Sequence, residues 1–233
     1  MELYIAPISD IGNKQIQEIS KSFGIEKKNI IEKYKKKEDK IRALIGEIML
    51  RCIICDKLQL MNEEVVLKKD EFGKPYLQGY PHFKFNISHS GKYVVCAISK
   101  QNVGIDIEEI TELDYKNIAD SFFTEKERKY IYEKESLLRF YEIWTLKESY
   151  IKAVGRGLSI PLNSFSIDIY ANKYIKTIKQ YVFKVIDINE KYKMALCSYG
   201  NDSIYKKVIL DQWRLIYNYY KLTSSLEGFD GHL

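Results

Sequence analysis

The sequence predicts an α+β fold made of two similar halves. Three observations carry this: long runs with apolar residues three and four apart, short runs rich in β-branched and aromatic residues, and the same order of elements in each half. In each half a long helix (38–60, 136–153) leads through a glycine and proline turn (73–75, 155–161) to apolar strands that end at 94–98 or 194–198. Chance likeness of two ordinary α+β segments is the alternative to duplication. A boundary near residue 102 gives an N-terminal lobe over 1–102 and a C-terminal lobe over 103–224, with a polar, loose tail over 225–233.

The elements follow from local chemistry. A short strand at 3–6 precedes a helical segment at 14–23 and a lysine-rich stretch at 26–40. Ile41, Leu44, Ile45, Ile48, Met49, Cys52 and Ile53 then form the apolar stripe of a long helix. Proline fixes φ and glycine frees it, so Gly73-Lys74-Pro75 is a turn. Strands at 83–88 and 93–99 pair as a hairpin around His89-Ser90-Gly91-Lys92, and a further strand spans 103–108. Helices follow at 116–122, 125–132 and 136–153.

Composition narrows the function classes. With 45% hydrophobic and 30% charged residues and only 12 glycines and 4 prolines, the chain is expected to fold, which excludes disordered and fibrous proteins. A formal charge of +5 favours an acidic partner weakly and falls short of a nucleic-acid-coating tail. Cys52 and Cys55, three apart on a helix, are read as core packing rather than a redox or zinc pair, and reduced thiols imply a cytoplasmic protein. The start of the chain lacks the pattern of a signal peptide, and nowhere do 18 apolar residues run together, so no membrane association is expected.

Acidic and basic side chains supply the candidate chemistry. The strand period of two places Asp106 and Glu108 on one face and Ile105 and Ile107 on the other. Paired carboxylates repel, so they call for solvation, protonation or a hard cation such as Mg²⁺, and an exposed edge face is the plainer alternative. Glu148 and Lys152 lie four apart on one helix face, as in an ordinary stabilising pair. Asn86-Ile87-Ser88-His89-Ser90-Gly91 offers hydroxyls and an imidazole suited to phosphate oxygens. Lysines from Lys27 to Lys37 make either a solvated face or a funnel toward a polyanion.

These segments together resemble the phosphopantetheinyl transferases, specifically the larger two-lobed type that activates surfactin synthetase. The resemblance rests on Lys37-Glu38-Asp39-Lys40-Ile41-Arg42, Phe72-Gly73-Lys74-Pro75, Phe85-Asn86-Ile87-Ser88-His89-Ser90-Gly91 and Val103-Gly104-Ile105-Asp106-Ile107-Glu108. It continues through Phe122-Phe123-Thr124-Glu125-Lys126-Glu127, Trp144-Thr145-Leu146-Lys147-Glu148-Ser149-Tyr150-Ile151-Lys152 and Gly155-Arg156-Gly157-Leu158.

The resemblance implies α+β lobes related by a pseudo-twofold axis, a monomer with its active site in the cleft between them, and transfer of phosphopantetheine from coenzyme A to a serine of an apo acyl or peptidyl carrier protein. It implies Mg²⁺ held in a solvated cleft by Asp106, Glu108 and Glu148, with Glu148 as base, directly or through water, and Lys152 beside the pyrophosphate. Gly73, Lys74 and Pro75 would lie at the adenine, Ser88 and His89 at the phosphates, and Lys27 and Arg42 near the ribose phosphate. Where relatives carry a second lysine this chain has Ile30, so Lys28 or Lys33 would take its place. Phe122 and Phe123 would face the carrier or pack in the core. A non-catalytic coenzyme A or nucleotide-binding module and a nucleic-acid-binding protein are the competing readings.

Overall fold

The structure, a computed structural model, describes residues 1–134, 136–169, 175, 178–200 and 206–223. In chain order the elements are β1 (Glu2–Pro7), α1 (Asn13–Lys21), α2 (Ile25–Lys33), α3 (Lys37–Leu58), β2 (Leu67–Lys69), β3 (Pro75–Leu77), β4 (Lys84–Ser90), β5 (Tyr93–Ser99) and β6 (Val103–Glu109). They continue with α4 (Tyr115–Phe122), α5 (Glu125–Tyr132), α6 (Leu137–Val154), β7 (Tyr181–Val185), β8 (Tyr192–Tyr199), β9 (Lys206–Ile209) and α7 (Gln212–Thr223). The α+β class expected from the sequence is observed. The expected tail over 225–233 lies outside the described residues.

Strand order repeats between the halves. The first sheet runs β4-β5-β1-β9 and the second β6-β8-β7, so in each the later strand of an antiparallel hairpin sits between its hairpin partner and the strand that opens the half. By contact density Met1–Ile5 and Leu67–Val208 form one unit, and Ala6–Val66 with the segment from Ile209 form another. Residue 102 falls inside the first unit, which holds these two sheets but for the ends of β1 and β9, and the two-stranded β2-β3 sheet as well. The second unit is helical. In it α3 buries Leu44, Ile45, Ile48 and Met49 completely, and Phe23 of the α1–α2 turn meets Tyr219 of α7 with ring centroids 5.5 Å apart.

Within the first unit, β6 shows how alternation builds a site. Val103, Ile105 and Ile107 are fully buried against Leu3, Val95, Met194 and Leu196, each worth about 1.5–3 kcal/mol of burial. The alternate residues face α6, and Gly104 lets the helix backbone in: a Cβ there would lie 2.1 Å from the Ser149 carbonyl oxygen and 2.3 Å from the Ala153 nitrogen. α6 also packs Phe140, Ile143 and Leu146 into a core with Phe183 and Ala195 of β7 and β8.

Backbone cannot yield as a flexible side chain does. Gly104→Ala should therefore lower the unfolding free energy by about 2–3 kcal/mol, read from urea denaturation at unchanged m-value.

Candidate active site

A cavity of about 340 Å³ opens in the first unit, lined by Ile87, Ser88 and His89 of β4, Asp106 and Glu108 of β6, and Trp144, Glu148 and Lys152 of α6. This volume is at the low end of small-molecule pockets and suits a compact polar group of a longer ligand.

Its floor is a polar seam between two strands. Strand β6 lies at one edge of its sheet, so half its N–H groups have no ladder partner. Side chains of β4 take them instead: Asn86 Oδ1 accepts from Ile105 N at 2.8 Å, Ser88 Oγ from Ile107 N at 3.4 Å and Ser90 Oγ from Glu109 N at 2.9 Å. The same hydroxyls donate onward, Ser88 to Asp106 Oδ1 at 3.1 Å and Ser90 to Glu108 Oε2 at 2.9 Å. Positions 86, 88 and 90 share one strand face, so the spacing N-x-S-x-S was the available signal that Asn86 and Ser90 bond β6, whereas sequence reasoning offered this segment's hydroxyls to phosphate oxygens.

Helix α6 supplies the other wall, and buried chemistry sets its rotation. Lys147 and Glu127 are both fully buried as a pair 2.7 Å apart. Lys147 Nζ also donates to the Leu162 and Phe165 carbonyls at 2.7 Å each, while Glu127 accepts from Ile167 N at 2.8 Å and from Thr124 N and Oγ1 at 2.8 and 2.9 Å. Such saturation makes a buried pair tolerable. With Lys147 fixed there, its neighbour Glu148 turns toward the cavity.

The helix pair expected from spacing is replaced by a longer-range one. Lys152 Nζ bonds Asp106 Oδ1 at 2.5 Å and Ser88 Oγ at 3.1 Å, rather than Glu148. Asp106 is 2% exposed, which corrects the expectation of a solvated carboxylate: α6 closes over it where Gly104 admits the helix. Its Oδ2 is buried with no partner.

Burial pushes all three acids up, and repulsion adds to it for Glu108 and Glu148. Desolvation raises Asp106 against the pull of Lys152 and Ser88. Desolvation and then Asp106 raise Glu148. Glu108 is pushed up to about 7 by desolvation first, then by Asp106 and Glu148.

Among the described residues no three His, Cys, Asp or Glu side chains are drawn together as a ready metal cluster. The donor set nevertheless fits a hard cation: three carboxylates line one cavity, one buried oxygen has no partner, and only Lys152 balances them there.

The other predicted residues are placed as follows. Gly73 (φ 84°) and Pro75 bound the β2–β3 turn, but Lys74 Nζ turns away from solvent onto the carbonyls of Val103 at 3.2 Å, Lys152 at 2.6 Å and Ala153 at 3.2 Å. Burial draws its pKa down to about 8 against the pull of Asp70. In the second unit Lys27 pairs with Glu47 at 2.9 Å and Arg42 with Asp39 at 2.5 Å. Ile30 and Lys33 end up on α2, where Lys28 lies 3.8 Å from Glu32. Phe122 is half exposed, whereas Phe123 is buried and stacks on Phe140 with centroids 5.5 Å apart. The four cysteines are free thiols, and no described helix is long and apolar enough to cross a membrane.

Comparison with known proteins assigns the class. Residues 102–197 match the family described as the 4'-phosphopantetheinyl transferase superfamily, and residues 12–101 match its N-terminal region, 4'-phosphopantetheinyl transferase, N-terminal. The chain is 38% identical over 206 residues to 4'-phosphopantetheinyl transferase gsp of Aneurinibacillus migulanus, covering 84% of each chain. It is 35% identical over 181 residues to 4'-phosphopantetheinyl transferase Sfp of Bacillus subtilis, covering 74% of this chain and 80% of that one. A solved holo-[acyl-carrier-protein] synthase of Thermotoga maritima aligns at TM-score 0.37 and 20% identity over 43% of this chain and 64% of its own. The chain belongs to the 4'-phosphopantetheinyl transferase family and is an enzyme of that class.

Glu108 gives a pH signature. Its folded pKa near 7 exceeds the ordinary 4.5, so between those values the folded form keeps a proton that the unfolded chain has lost. This group's contribution therefore falls as pH rises through that window. In chelator, Glu108→Gln should be more stable than the parent at pH 8 by about 1–3 kcal/mol, with the difference vanishing near pH 4, as read from thermal melts across pH.

Proposed function

We propose that this enzyme moves the phosphopantetheine group of coenzyme A onto a serine hydroxyl of an apo acyl or peptidyl carrier protein and releases adenosine 3',5'-bisphosphate. The single observation that carries this reading is the meeting of Asp106, Glu108, Glu148 and Lys152 with Ser88 and His89 around one compact cavity, in a chain of this family. A small polar cavity with acids on two walls and one ammonium suits a divalent cation together with a diphosphate better than an apolar ligand.

Asp106, Glu108 and Glu148 would hold Mg²⁺, which when bound neutralises their repulsion and polarises the diphosphate. The chain's own residues divide the remaining work. His89 orients the phosphates at the cavity rim. Glu148, which faces the cavity from α6, takes the serine proton directly or through a bound water. The serine oxygen forms a bond to the β-phosphorus as the bond to the departing adenosine bisphosphate oxygen breaks. Lys152 stabilises the charge gathering on that oxygen and offers it a proton. Residues 1–102 and 103–224 act as two lobes, the first giving Ser88 and His89, the second Asp106, Glu108, Glu148 and Lys152.

The reading includes a monomeric enzyme of the cytoplasm that needs neither membrane nor nucleic acid. Lys27, Arg42 and the Gly73 and Pro75 turn serve the nucleotide end, and half-exposed Phe122 serves the carrier.

Incubation with coenzyme A, Mg²⁺ and several apo carrier proteins tests it, with a phosphopantetheine mass gain on at least one carrier as the expected result. Binding of coenzyme A without mass gain on any carrier would favour the non-catalytic module. Asp106→Asn should lower kcat by about 100-fold or more while the circular dichroism spectrum is unchanged, and near-normal turnover would remove it from the site. His89→Ala should raise the KM for coenzyme A by about tenfold and lower kcat less, in steady-state kinetics.

A further inference from the structure

Lys74 lies in the turn that motif resemblance gives to the adenine, yet its side chain does something else. The turn is built by Asp70, whose Oδ1 accepts from Phe72 N and Lys74 N at 2.9 Å each and whose carbonyl accepts from Gly73 N at 3.0 Å. This rigid hairpin end directs the Lys74 stem toward the last turn of α6. There the ammonium meets three carbonyl oxygens, those of Lys152, Ala153 and Val103, one for each of its N–H bonds. Carbonyls of a final helical turn have no intrahelical donor, and a cation there also suits the helix dipole.

The contact is close on both sides. Gly155, which ends α6 in the left-handed region at φ 84°, leaves room for the stem, since a Cβ on it would lie 2.9 Å from Lys74 Cδ. Arg156 stands over the Phe72 ring at 5.6 Å, a second link between the turn and the helix end. Lys74 is not among the residues that line the cavity. Lys152 is thus held at two points, its backbone carbonyl by Lys74 and its ammonium by Asp106 and Ser88.

We propose that the Lys74 side chain is a positioning residue rather than a ligand to coenzyme A: it clamps the last turn of α6 to the start of β6 and so sets where Lys152 stands. This rests on the transferase reading for the role of Lys152. The clamp also ties the β2–β3 turn to the catalytic helix, so a ligand that settles on the turn acts on the segment that carries Lys152.

The test compares wild type, Lys74→Met, Lys74→Arg and Gly155→Ala with coenzyme A, Mg²⁺ and an apo acyl carrier protein that the wild type modifies. For Lys74→Met the expected result is a coenzyme A Kd within about threefold of wild type by calorimetry and a kcat lower by about tenfold or more. Amides at 153–155 should exchange hydrogen faster, and Lys74→Arg, which still donates to carbonyls, should recover part of kcat. Gly155→Ala, which pushes on the same stem, should show the same split, and it carries the test if Lys74→Met does not fold.

A coenzyme A Kd raised about tenfold with kcat retained would overturn the proposal in favour of a direct ligand contact. Faster exchange with unchanged kcat would overturn it in favour of a purely structural cap. If wild type binds coenzyme A yet modifies no carrier, the transferase reading fails separately. The clamp is then judged on exchange and Kd alone: faster exchange at unchanged Kd upholds it, and a raised Kd refutes it.

Discussion

The site depends on an edge strand whose unpaired N–H groups are satisfied by side chains instead of by another strand. Asn86, Ser88 and Ser90 accept from successive outward amides of β6 with a constant offset of 19 residues, so β4 and β6 run in register without forming a ladder. A buried amide left unpaired costs about 1–3 kcal/mol, so this register is strongly specified. It also brings each serine hydroxyl to a carboxylate, Ser88 to Asp106 and Ser90 to Glu108. Structural satisfaction of the backbone and orientation of the acids are therefore the same set of hydrogen bonds. A slip by one residue would lose both, because every side chain would change face.

How much of this was legible in the sequence depends on the range of the interaction. Alternation over 103–108 gave the inward Ile105 and Ile107 and the opposite Asp106 and Glu108, because strand period is a local property. The long helices were legible for the same reason, and Ser136 caps α6 by accepting from Arg139 N. Strands β2, β3 and β9, of three, three and four residues, carry too little periodicity to be read alone. Helix α7 was missed because Trp213 and Tyr217 stand partly exposed among polar residues, blurring its apolar face of Leu215, Ile216 and Tyr219.

Partners distant in the chain were not legible. An i,i+4 rule pairs Glu148 with Lys152, but the fold brings Asp106 to Lys152 from 46 residues away, deeper in the protein and nearer. Burial of Asp106 itself follows from Gly104, where a missing side chain lets α6 approach within backbone contact. The glycine was visible in the motif, yet what it admits is set by an element more than 40 residues on. Lys74 illustrates the same limit: motif position suggested a ligand contact, and the tertiary fold gives its ammonium to three carbonyls.

Two neighbouring residues on α6 show how the fold separates structural from functional charge. Lys147 is fully buried, and its ammonium finds two carbonyls and Glu127, so its charge is saturated and serves only to fix the helix. Glu148, one residue and about 100° further round, faces a cavity where acids outnumber the single lysine. There the balance is left short: Asp106 keeps a buried oxygen without a partner and the carboxylate pKa values rise. An unpartnered atom alone does not make a site, since Gln212 Nε2 is also buried and unpaired while its Oε1 accepts from Ser9 N. What distinguishes the cavity is that the shortage is collective: several like charges, held in place by neutral hydroxyls, share one space. Repulsion among these acids is a cost in the free protein that Lys152 offsets only in part, and a hard cation bound among them would offset the rest.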